Sequence, residues 1–188
     1  MSHADTILRR LDGSMAAIRS LRDQVDRIDA VATALIDRLH RGGTIYTAGN
    51  GGSAAQALHL AEELIGRYRG DRPALRAVCL NADPTALTCI ANDFGFENIF
   101  ARQCEALLDP DDVLLVLSTS GRSPNLVEAL KTAKQSATLT VGLLGSGGGE
   151  CGPLCDHEIT IDATDSAFVQ EAHQVVVHLL CEMIEESR

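Results

Sequence analysis

The spacing of apolar residues divides the chain into a helical beginning and an alternating remainder. From about Thr6 to Arg41, apolar side chains recur every three or four positions, which is the period of an amphipathic helix. This pattern predicts one long helix or two consecutive helices, ended by the pair Gly42-Gly43. A helical segment ahead of any strand often packs against a partner subunit, so we expect residues 1–41 to serve in oligomerisation.

After Gly43, short runs of β-branched and aliphatic residues alternate with helical patterns. The predicted strands are residues 44–49, 76–80, 112–118, 138–144 and 157–161. The predicted helices are residues 53–67, 83–92, 99–108, 124–136 and 167–186. Apolar strands separated by helices indicate a parallel sheet covered on both faces. We therefore expect an α/β protein of one domain (1–188), with a helical segment (1–41) before an α/β core (43–188).

Composition and charge narrow the classes of protein that the chain can belong to. The formal net charge of −10 argues against nonspecific binding to nucleic acid or anionic lipid. No apolar run approaches the roughly 20 residues of a membrane span, and the amino terminus lacks the apolar core of a signal peptide, so we expect a cytoplasmic protein. The six cysteines include no CxxC, which favours free thiols in a reducing compartment.

The first unusual strand end is "AGNGGS", residues 48–53. Its glycines allow backbone amides to approach a ligand closely, and Ser53 can cap the helix that follows. The stretch is neither GxGxxG nor a Walker loop, so it gives little support to a nucleotide site. A ligand loop and a simple tight turn both remain open for this stretch.

The second is "LSTSGRSPN", residues 117–125, which offers the hydroxyls of Ser118, Thr119, Ser120 and Ser123. Pro124 suits the first turn of the next helix, whose amino terminus has free N–H groups and a positive dipole end. Hydroxyls and unpaired amides together form a neutral cradle for a phosphate. The alternative is a serine-rich turn capped by Ser123, but two such loops at one edge of the sheet favour phosphate.

Two predicted helices carry histidine, glutamate and glutamine side chains on the face opposite the apolar stripe. In the helix after "AGNGGS", a helical wheel predicts that one stripe packs on the sheet, with His59, Glu63 and Gln56 on the other side. That stripe comprises Ala54, Ala57, Leu58, Ala61 and Ile65.

In the last helix, Gln170, Gln174 and His178 lie roughly opposite the predicted buried stripe. The members of that stripe are Ala172, Val176, Leu179, Leu180 and Met183. For either helix alone, a solvated polar face is the plain alternative.

Taken together, the two polar faces predict chemistry. Two histidines, a carboxylate and an amide can hold one divalent metal such as zinc. Alternatively, Glu63 and His178 can act as a base and an acid in proton transfer. Because both faces point away from their own core, a site made from them needs a cover, and we expect that cover to be another subunit.

Several blocks together resemble the sugar isomerase (SIS) domain family, and more closely the bacterial phosphoheptose (sedoheptulose 7-phosphate) isomerases. The resemblance runs from about Gly43 to the end, and its blocks occur in the order "AGNGGS", "HLAEELIGRYR", "ANDFGFENIF", "DVLLVLSTSGRSPN" and "VQEAHQVVVH". It implies a three-layer α/β/α sandwich with a five-stranded parallel sheet, similar to flavodoxin or Rossmann folds. It also implies a homotetramer with active sites between subunits.

The resemblance assigns roles residue by residue. It implies one zinc ion per subunit, bound by His59, Glu63, Gln170 and His178. The implied substrate contacts are Asn50, Gly51, Gly52, Ser53, Glu63, Asn92, Asp93, Ser118, Thr119, Ser120, Ser123 and Gln170. The implied catalytic pair is Glu63 as base and His178 as acid. Whether the metal is catalytic or structural stays open, since direct binding to both groups would compete with their proton transfer.

The implied reaction converts sedoheptulose 7-phosphate to D-glycero-D-manno-heptose 7-phosphate through an enediol, the first step toward the heptose of lipopolysaccharide or related glycans. One departure leaves the preferred sugar phosphate open: Ala167 and Phe168 stand where the family often has an Asp-Arg pair. The alternatives are a non-catalytic SIS scaffold that associates with a replication initiator, and a sugar-phosphate-sensing regulator. Because a scaffold need not keep both Glu63 and His178, the sequence favours the enzyme.

Overall fold

A computed structural model describes residues 2–187 and begins with two helices. Helix α1 spans His3–Ser20 and α2 spans Val25–His40, joined by a 3₁₀ turn at Leu21–Gln24, so the prediction of consecutive helices is confirmed. The apolar face of α2 is buried through Ile28, Val31 and Leu35, among others. In contrast, α1 leaves a row of apolar side chains exposed to solvent: Ile7, Leu8, Leu11, Met15 and Ile18.

The rest of the chain forms a five-stranded parallel sheet with five further helices, as predicted. The strands are β1 Ile45–Gly49, β2 Ala77–Cys79, β3 Val113–Ser118, β4 Leu139–Gly145 and β5 His157–Ile161. The helices are α3 Gly52–Ile65, α4 Pro84–Phe94, α5 Ala101–Leu107, α6 Pro124–Gln135 and α7 Ser166–Glu186. Aspartates begin two of them: Asp83 accepts hydrogen bonds from the first amides of α4, and Asp165 accepts one from Ala167 in α7.

Helices cover both faces of the sheet, because side chains alternate between the faces along each strand. On one face, residues such as Ile45, Leu115 and Leu143 pack against α1, α2, α3 and α7. On the other face, residues such as Leu114 and Val116 pack against α4, α5 and α6. The result is the three-layer α/β/α sandwich that the resemblance implied.

The strand order β2-β1-β3-β4-β5 places the two unusual loops side by side. This is the flavodoxin-like order, in which the chain proceeds from β1 to one side of the sheet and from β3 to the other. The crevice between the carboxyl ends of β1 and β3 is the position where such sheets bind ligands. Residues 50–51 and 119–123 follow these two strands directly, so both predicted ligand loops lie at this crevice.

The predicted sheet-facing stripe of α3 was partly wrong. Leu58 and Ile65 are 42% and 51% exposed. The residues of α3 that are buried are Ser53, Gln56, Ala57, Leu60, Ala61 and Leu64. The reason is that α3 packs against α7 as well as against the sheet. The buried face of α3 is therefore rotated toward α7 and includes a polar residue, Gln56. The stripe of α7 is closer to the expectation, although Leu179 is exposed and His173 is buried.

All six cysteines are free thiols, as predicted. Burial raises the pKa of Cys104, Cys155 and Cys181 to about 12, so these thiols stay protonated at neutral pH. Among residues 2–187, no helix combines the length and the apolar character needed to cross a membrane.

Candidate active site

The turn between β1 and α3 depends on its glycines. Gly51 has a φ of +56°, in the left-handed region that favours glycine. A Cβ atom on Gly52 would lie 2.7 Å from the amide of Gln170, so the missing side chain lets α7 approach the turn. Ser53 lies inside α3 and is buried, and Gly51 rather than Ser53 occupies the capping position, so that part of the prediction was wrong.

Two asparagines that sequence reasoning missed hold this turn from both sides. The side chain of Asn81 accepts a hydrogen bond from the Gly49 amide at 3.1 Å and donates one to the Gly49 carbonyl at 2.9 Å. On the other side, the amides of Asn50 and Asn125 exchange two hydrogen bonds, each 2.9 Å long. Because Asn125 is only 1% exposed, this pair forms a rigid link between the β1–α3 and β3–α6 loops.

The β3–α6 loop folds around its own hydroxyls. Ser118 Oγ accepts a hydrogen bond from the Gly121 amide, and Ser120 Oγ accepts one from the Arg122 amide. Ser123 occupies the N-cap position of α6, but its side chain makes no capping hydrogen bond. The serine-rich turn is therefore present, whereas the expected cap by the Ser123 side chain is wrong.

The two loops enclose a polar cavity of about 60 Å³. It is lined by Asn50, Ser53, Leu117, Ser118, Thr119, Ser120, Ser123 and Gln170. These are most of the substrate contacts that the resemblance implied, brought together from three separate parts of the chain. Hydroxyls, backbone amides and the start of α6 can bind a compact anion here without a charged side chain.

Asn92 and Asp93, which were also expected to contact substrate, are not part of this cavity. Both are exposed on α4, where the Asn92 amide donates to the Asp93 carboxylate at 2.7 Å. A second cavity of about 250 Å³ lies on the other side of the same glycine turn. It is lined by Gly49, Asn50, Gly51, Asn81, Leu87, Thr88, Ala91, Phe96 and Ile99. Helix α4 therefore reaches the turn through Leu87, Thr88 and Ala91 instead.

A histidine and carboxylate cluster lies further along α3, where α7 packs beside it. His59 Nε2 is 3.0 Å from Glu63 Oε1, and the imidazole rings of His59 and His178 meet edge to face with centroids 5.3 Å apart. Glu63 is largely buried, with 15% of its side chain exposed. The two polar helix faces thus converge within a single chain, and the cover that we expect from another subunit stays a prediction.

The glutamine in this cluster is Gln174, not Gln170. The Gln174 amide nitrogen lies 3.0 Å from both His59 Nδ1 and His178 Nε2. Gln170 and His178 are eight residues apart on one helix, a rise of about 12 Å, and Gln170 lines the loop cavity beside Gly52. The structure therefore places Gln170 at the loop cavity and separates it from the other three predicted ligands.

The nitrogen and oxygen donors of this cluster suit a zinc ion. His59, Glu62 and Glu63 each offer a ligand atom, and these atoms lie within 4.8 Å of one another, although Glu62 is exposed. On the α7 side, His178 adds a second imidazole. Two imidazoles and a carboxylate on facing helices form a donor set typical of zinc sites.

The departure at Ala167-Phe168 has a structural consequence at the start of α7. The Phe168 ring lies under the Arg10 guanidinium, 4.3 Å from carbon to centroid, and fills the space that a Cβ on Gly13 would need. Arg10 also donates to Asp165 at 2.5 Å. Phe168 therefore docks α1 onto α7, and Asp165 is the carboxylate at this point of the chain.

Comparison with known proteins agrees with this fold and site. The model of the SIS domain family matches residues 12–145. Phosphoheptose isomerase 1 of Campylobacter jejuni is 49% identical over 161 residues, which cover 86% of this chain and 87% of that protein. The structure of a phosphoheptose isomerase from Francisella tularensis superposes with a TM-score of 0.95 at 32% identity, covering 99% of this chain and 100% of that one.

A phosphoheptose isomerase from Neisseria gonorrhoeae superposes with a TM-score of 0.93, also at 32% identity, covering 98% of this chain and 100% of that one. Fold and site define a SIS-domain protein, a class built on this five-stranded sheet with its hydroxyl-rich loop after β3. Within that class, the chain belongs to the phosphoheptose isomerase family.

Proposed function

We propose that the protein is an aldose–ketose isomerase that converts sedoheptulose 7-phosphate to D-glycero-D-manno-heptose 7-phosphate. The observation that carries this proposal is the convergence of Glu63, His59 and His178 between α3 and α7. The relatives named phosphoheptose isomerase support it, since one of them is 49% identical over most of the chain. A regulator or a scaffold would need neither a buried carboxylate nor a second imidazole at this place.

The phosphate end of the sugar fits the cavity between the two loops. Ser118, Thr119, Ser120 and Ser123 offer hydroxyls there, and the amino terminus of α6 adds a positive dipole end. Gln170 lines the same cavity and can bind a sugar hydroxyl through its amide. We include Gly51 and Gly52, whose backbone amides begin α3, among the phosphate contacts. Asn92 and Asp93 stay predictions as substrate contacts.

The chemistry requires one proton to leave C1 and another to reach C2. The Glu63 carboxylate removes a proton from C1, the electron pair of that bond forms the C1=C2 double bond, and the C2 oxygen takes up a proton to give the enediol. His178 then delivers a proton to C2, while O1 loses its proton and becomes the aldehyde oxygen. The hydrogen bond from His59 holds the Glu63 carboxylate in place. In the reverse direction, Glu63 and His178 exchange roles.

We further propose that His59, Glu63 and His178 hold one zinc ion per subunit. When bound, the ion would supply a positive charge beside the oxygen that becomes negative in the enediol, whereas proton transfer needs the reacting atoms of Glu63 and His178 to be free of it. Gln170 stays a prediction as the fourth ligand that the resemblance implied, since it lines the loop cavity at a rise of about 12 Å from His178 along α7.

The assembly that brings the parts together is, we propose, a homotetramer with active sites between subunits. The loop cavity and Glu63 of one chain are separated along α3 by the rise from Ser53 to Glu63, about 15 Å. A neighbouring chain can therefore contribute one of the two halves of a site. The exposed apolar row on α1 offers a surface for such contact. The cytoplasmic location and the heptose pathway that the product feeds stay predictions.

Incubation of the purified protein with sedoheptulose 7-phosphate, followed by NMR for a new aldose signal, tests the function. The wild-type chain is expected to form the aldose phosphate. Glu63→Gln and His178→Gln are each expected to lower kcat by about a hundredfold or more, the usual size of a general acid or base effect. Glu171→Gln, an exposed carboxylate on the same helix as His178, is the matched control and should keep wild-type turnover.

The outcomes separate the candidate functions. Absence of turnover by the wild-type chain would contradict the isomerase and favour the non-catalytic scaffold. Full turnover by both site variants would remove Glu63 and His178 from the chemistry while leaving the isomerase intact. A loss of zinc without a loss of turnover would make the cluster a structural metal site.

A further inference from the structure

The loop between α3 and β2 is held on α7 by one carboxylate. Glu185 Oε1 accepts hydrogen bonds from the backbone amides of Tyr68 at 2.9 Å and Arg69 at 3.2 Å. Its Oε2 accepts from the amides of Arg69 at 3.1 Å and Gly70 at 3.0 Å. Successive amides of this kind form a concave anion site, which the protein's own side chain occupies here. Glu185 therefore fixes the backbone path of residues 68–70.

An arginine joins the same carboxylate to the end of α3. The Arg72 side chain is 6% exposed, and its Nε lies 3.4 Å from Glu185 Oε1, an ion pair that is not aligned as a hydrogen bond. Its Nη1 donates to the Leu64 carbonyl at 2.9 Å, and its Nη2 donates to the Glu63 carbonyl at 2.6 Å. Both carbonyls belong to the last turn of α3, where no later amide of the helix can reach them. The Arg72–Glu185 pair therefore connects the end of α3, the loop after it and the end of α7.

The loop that Glu185 fixes carries an aromatic ring beside His178. The Tyr68 ring lies with its centroid 5.7 Å from that of the His178 imidazole, and the two planes are tilted by 31°. The Arg69 guanidinium lies 5.0 Å from the centroid of the same tyrosine ring. His178 also meets His59 edge to face. Ring contacts from two different segments thus limit the rotation of the His178 side chain.

We propose that Glu185 is a positioning residue of the isomerase, which holds the Tyr68 ring against His178. This role rests on the proposed function, in which His178 delivers a proton to C2. Glu185 and His178 are seven residues apart, so they lie on one face of α7, about two turns from each other. The loop contacts that face at both points, through its amides and through the Tyr68 ring. Because a displacement of about 1 Å can lower a rate about a hundredfold, the orientation of the imidazole needs this support.

The negative charge of Glu185 suits it to this role. Hydrogen bonds from the Gly70, Arg69 and Tyr68 amides lower the pKa of this side chain, which is therefore ionised at neutral pH. A glutamine at the same place would keep one accepting oxygen, but its NH₂ group would face N–H donors, and Arg72 would lose the carboxylate that it faces. Glu185→Gln is therefore expected to loosen the loop with almost no change in side-chain size.

Steady-state kinetics with sedoheptulose 7-phosphate, together with NMR of the imidazole protons, tests this role on the full-length chain. Glu185→Gln is expected to lower kcat about tenfold and to change KM by less than about threefold, because the phosphate cavity lies at the other end of α3. The imidazole resonance that His178→Gln removes is expected to shift in Glu185→Gln, because the Tyr68 ring moves relative to it. Glu186→Gln, which changes the next and exposed carboxylate, is the control and should keep both kcat and this resonance.

Two replacements of Tyr68 test the route by which Glu185 acts. Tyr68→Leu removes the ring but leaves the Arg72–Glu185 pair in place, and it is expected to lower kcat about tenfold and to shift the same resonance. Tyr68→Phe keeps the ring and should retain kcat to within about threefold. Because Glu185 acts through the ring, the double variant Glu185→Gln/Tyr68→Leu should be no more than about twofold slower than the slower single variant. Circular dichroism of each variant confirms that α3 and α7 are folded.

Either wild-type kcat or an unshifted imidazole resonance in Glu185→Gln would overturn the inference. Additive losses in the double variant would also overturn it, and so would a Tyr68→Phe variant as slow as Tyr68→Leu. Each of these results, obtained beside an active wild-type chain, leaves the isomerase intact. A wild-type chain that forms no aldose would instead contradict the isomerase itself.

Discussion

His173 shows how strongly one buried residue can link stability to pH. The side chain is completely buried in α7. Its Nε2 donates to the Leu144 carbonyl at 3.2 Å, and its Nδ1 has no hydrogen-bond partner among residues 2–187. Burial lowers the pKa of His173 from 6.5 to about 4, because the interior disfavours the charged imidazolium. The folded protein therefore holds a neutral histidine at pH values where the unfolded chain binds a proton.

The sign of the pH effect follows from this difference. Between pH 6.5 and about 4 the unfolded state binds more protons, so the free energy of unfolding falls as the pH falls. We expect protonation of His173 in the unfolded chain to lower the free energy of unfolding by about 2 kcal/mol when the pH falls from 7 to 5. Urea unfolding gives the free energy of unfolding of the wild type and of His173→Gln at both pH values. The change between pH 7 and pH 5 should be larger for the wild type, and the difference between the two changes is the contribution of His173.

Gln is the chosen replacement because its amide nitrogen can keep the hydrogen bond to Leu144. His40→Gln, at an exposed position, is the control and should retain the wild-type pH dependence. Equal pH dependence in His173→Gln and the wild type would show that the buried imidazole is not the group that titrates.

At the scale of elements, the cavity that we propose for the phosphate depends on a hydrogen-bonded link between its two loops. Asn125 begins α6 and binds Asn50 in the turn before α3, so the pair fixes the distance between the two loops. Asn50 uses its side-chain amide in this link. The part of Asn50 that remains available to a ligand is therefore mainly its backbone.

We expect Asn125→Ala to loosen the cavity and to raise KM for the sugar phosphate by about tenfold, which corresponds to about 1.4 kcal/mol. Since Glu63 and His178 lie on other helices, kcat should change by less than about threefold. Asn125→Asp should raise KM further, because it loses the donor and adds a negative charge near the phosphate. Steady-state kinetics measures both constants, with Gln135→Ala at the far end of α6 as control; an unchanged KM in Asn125→Ala would contradict the link.

Helix α7 shows most clearly which parts of the site could be predicted from the sequence. Its helical wheel identified the face shared by Gln170, Gln174 and His178, because residues four apart lie at similar angles around the axis. The wheel gives an angle but no height, and height is what separates Gln170 from His178 by about 12 Å. Similarly, the strands follow from β-branched runs such as "TIYTAG", whereas the Asn50–Asn125 pair joins positions 75 residues apart and needs the folded sheet.

For the whole molecule, the exposed apolar row of α1 predicts a contact surface between subunits. Ile7 and Leu11 are 58% and 54% exposed, so replacing them with charged residues should not unfold the single chain. We expect Ile7→Glu/Leu11→Glu to dissociate the proposed tetramer and to lower turnover with it. Sedimentation equilibrium and the turnover assay are measured on the same samples.

Ala16→Glu is the control, because Ala16 is exposed on the opposite side of α1 and its replacement should leave the proposed tetramer intact. A wild-type chain that sediments as a monomer with full turnover would contradict the interfacial active site. It would leave the cluster within one chain as the complete catalytic centre.

Proton transfer by Glu63 and His178 is the central claim, and reaction in D₂O tests it most directly. If the carboxylate removes the C1 proton to give an enediol, solvent deuterium must appear at C2 of the aldose product, as NMR or mass spectrometry detects. We expect deuterium in the wild-type product and loss of both product and exchange in Glu63→Gln. Product that forms at the wild-type rate with no deuterium at C2, or unimpaired exchange by Glu63→Gln, would contradict the claim.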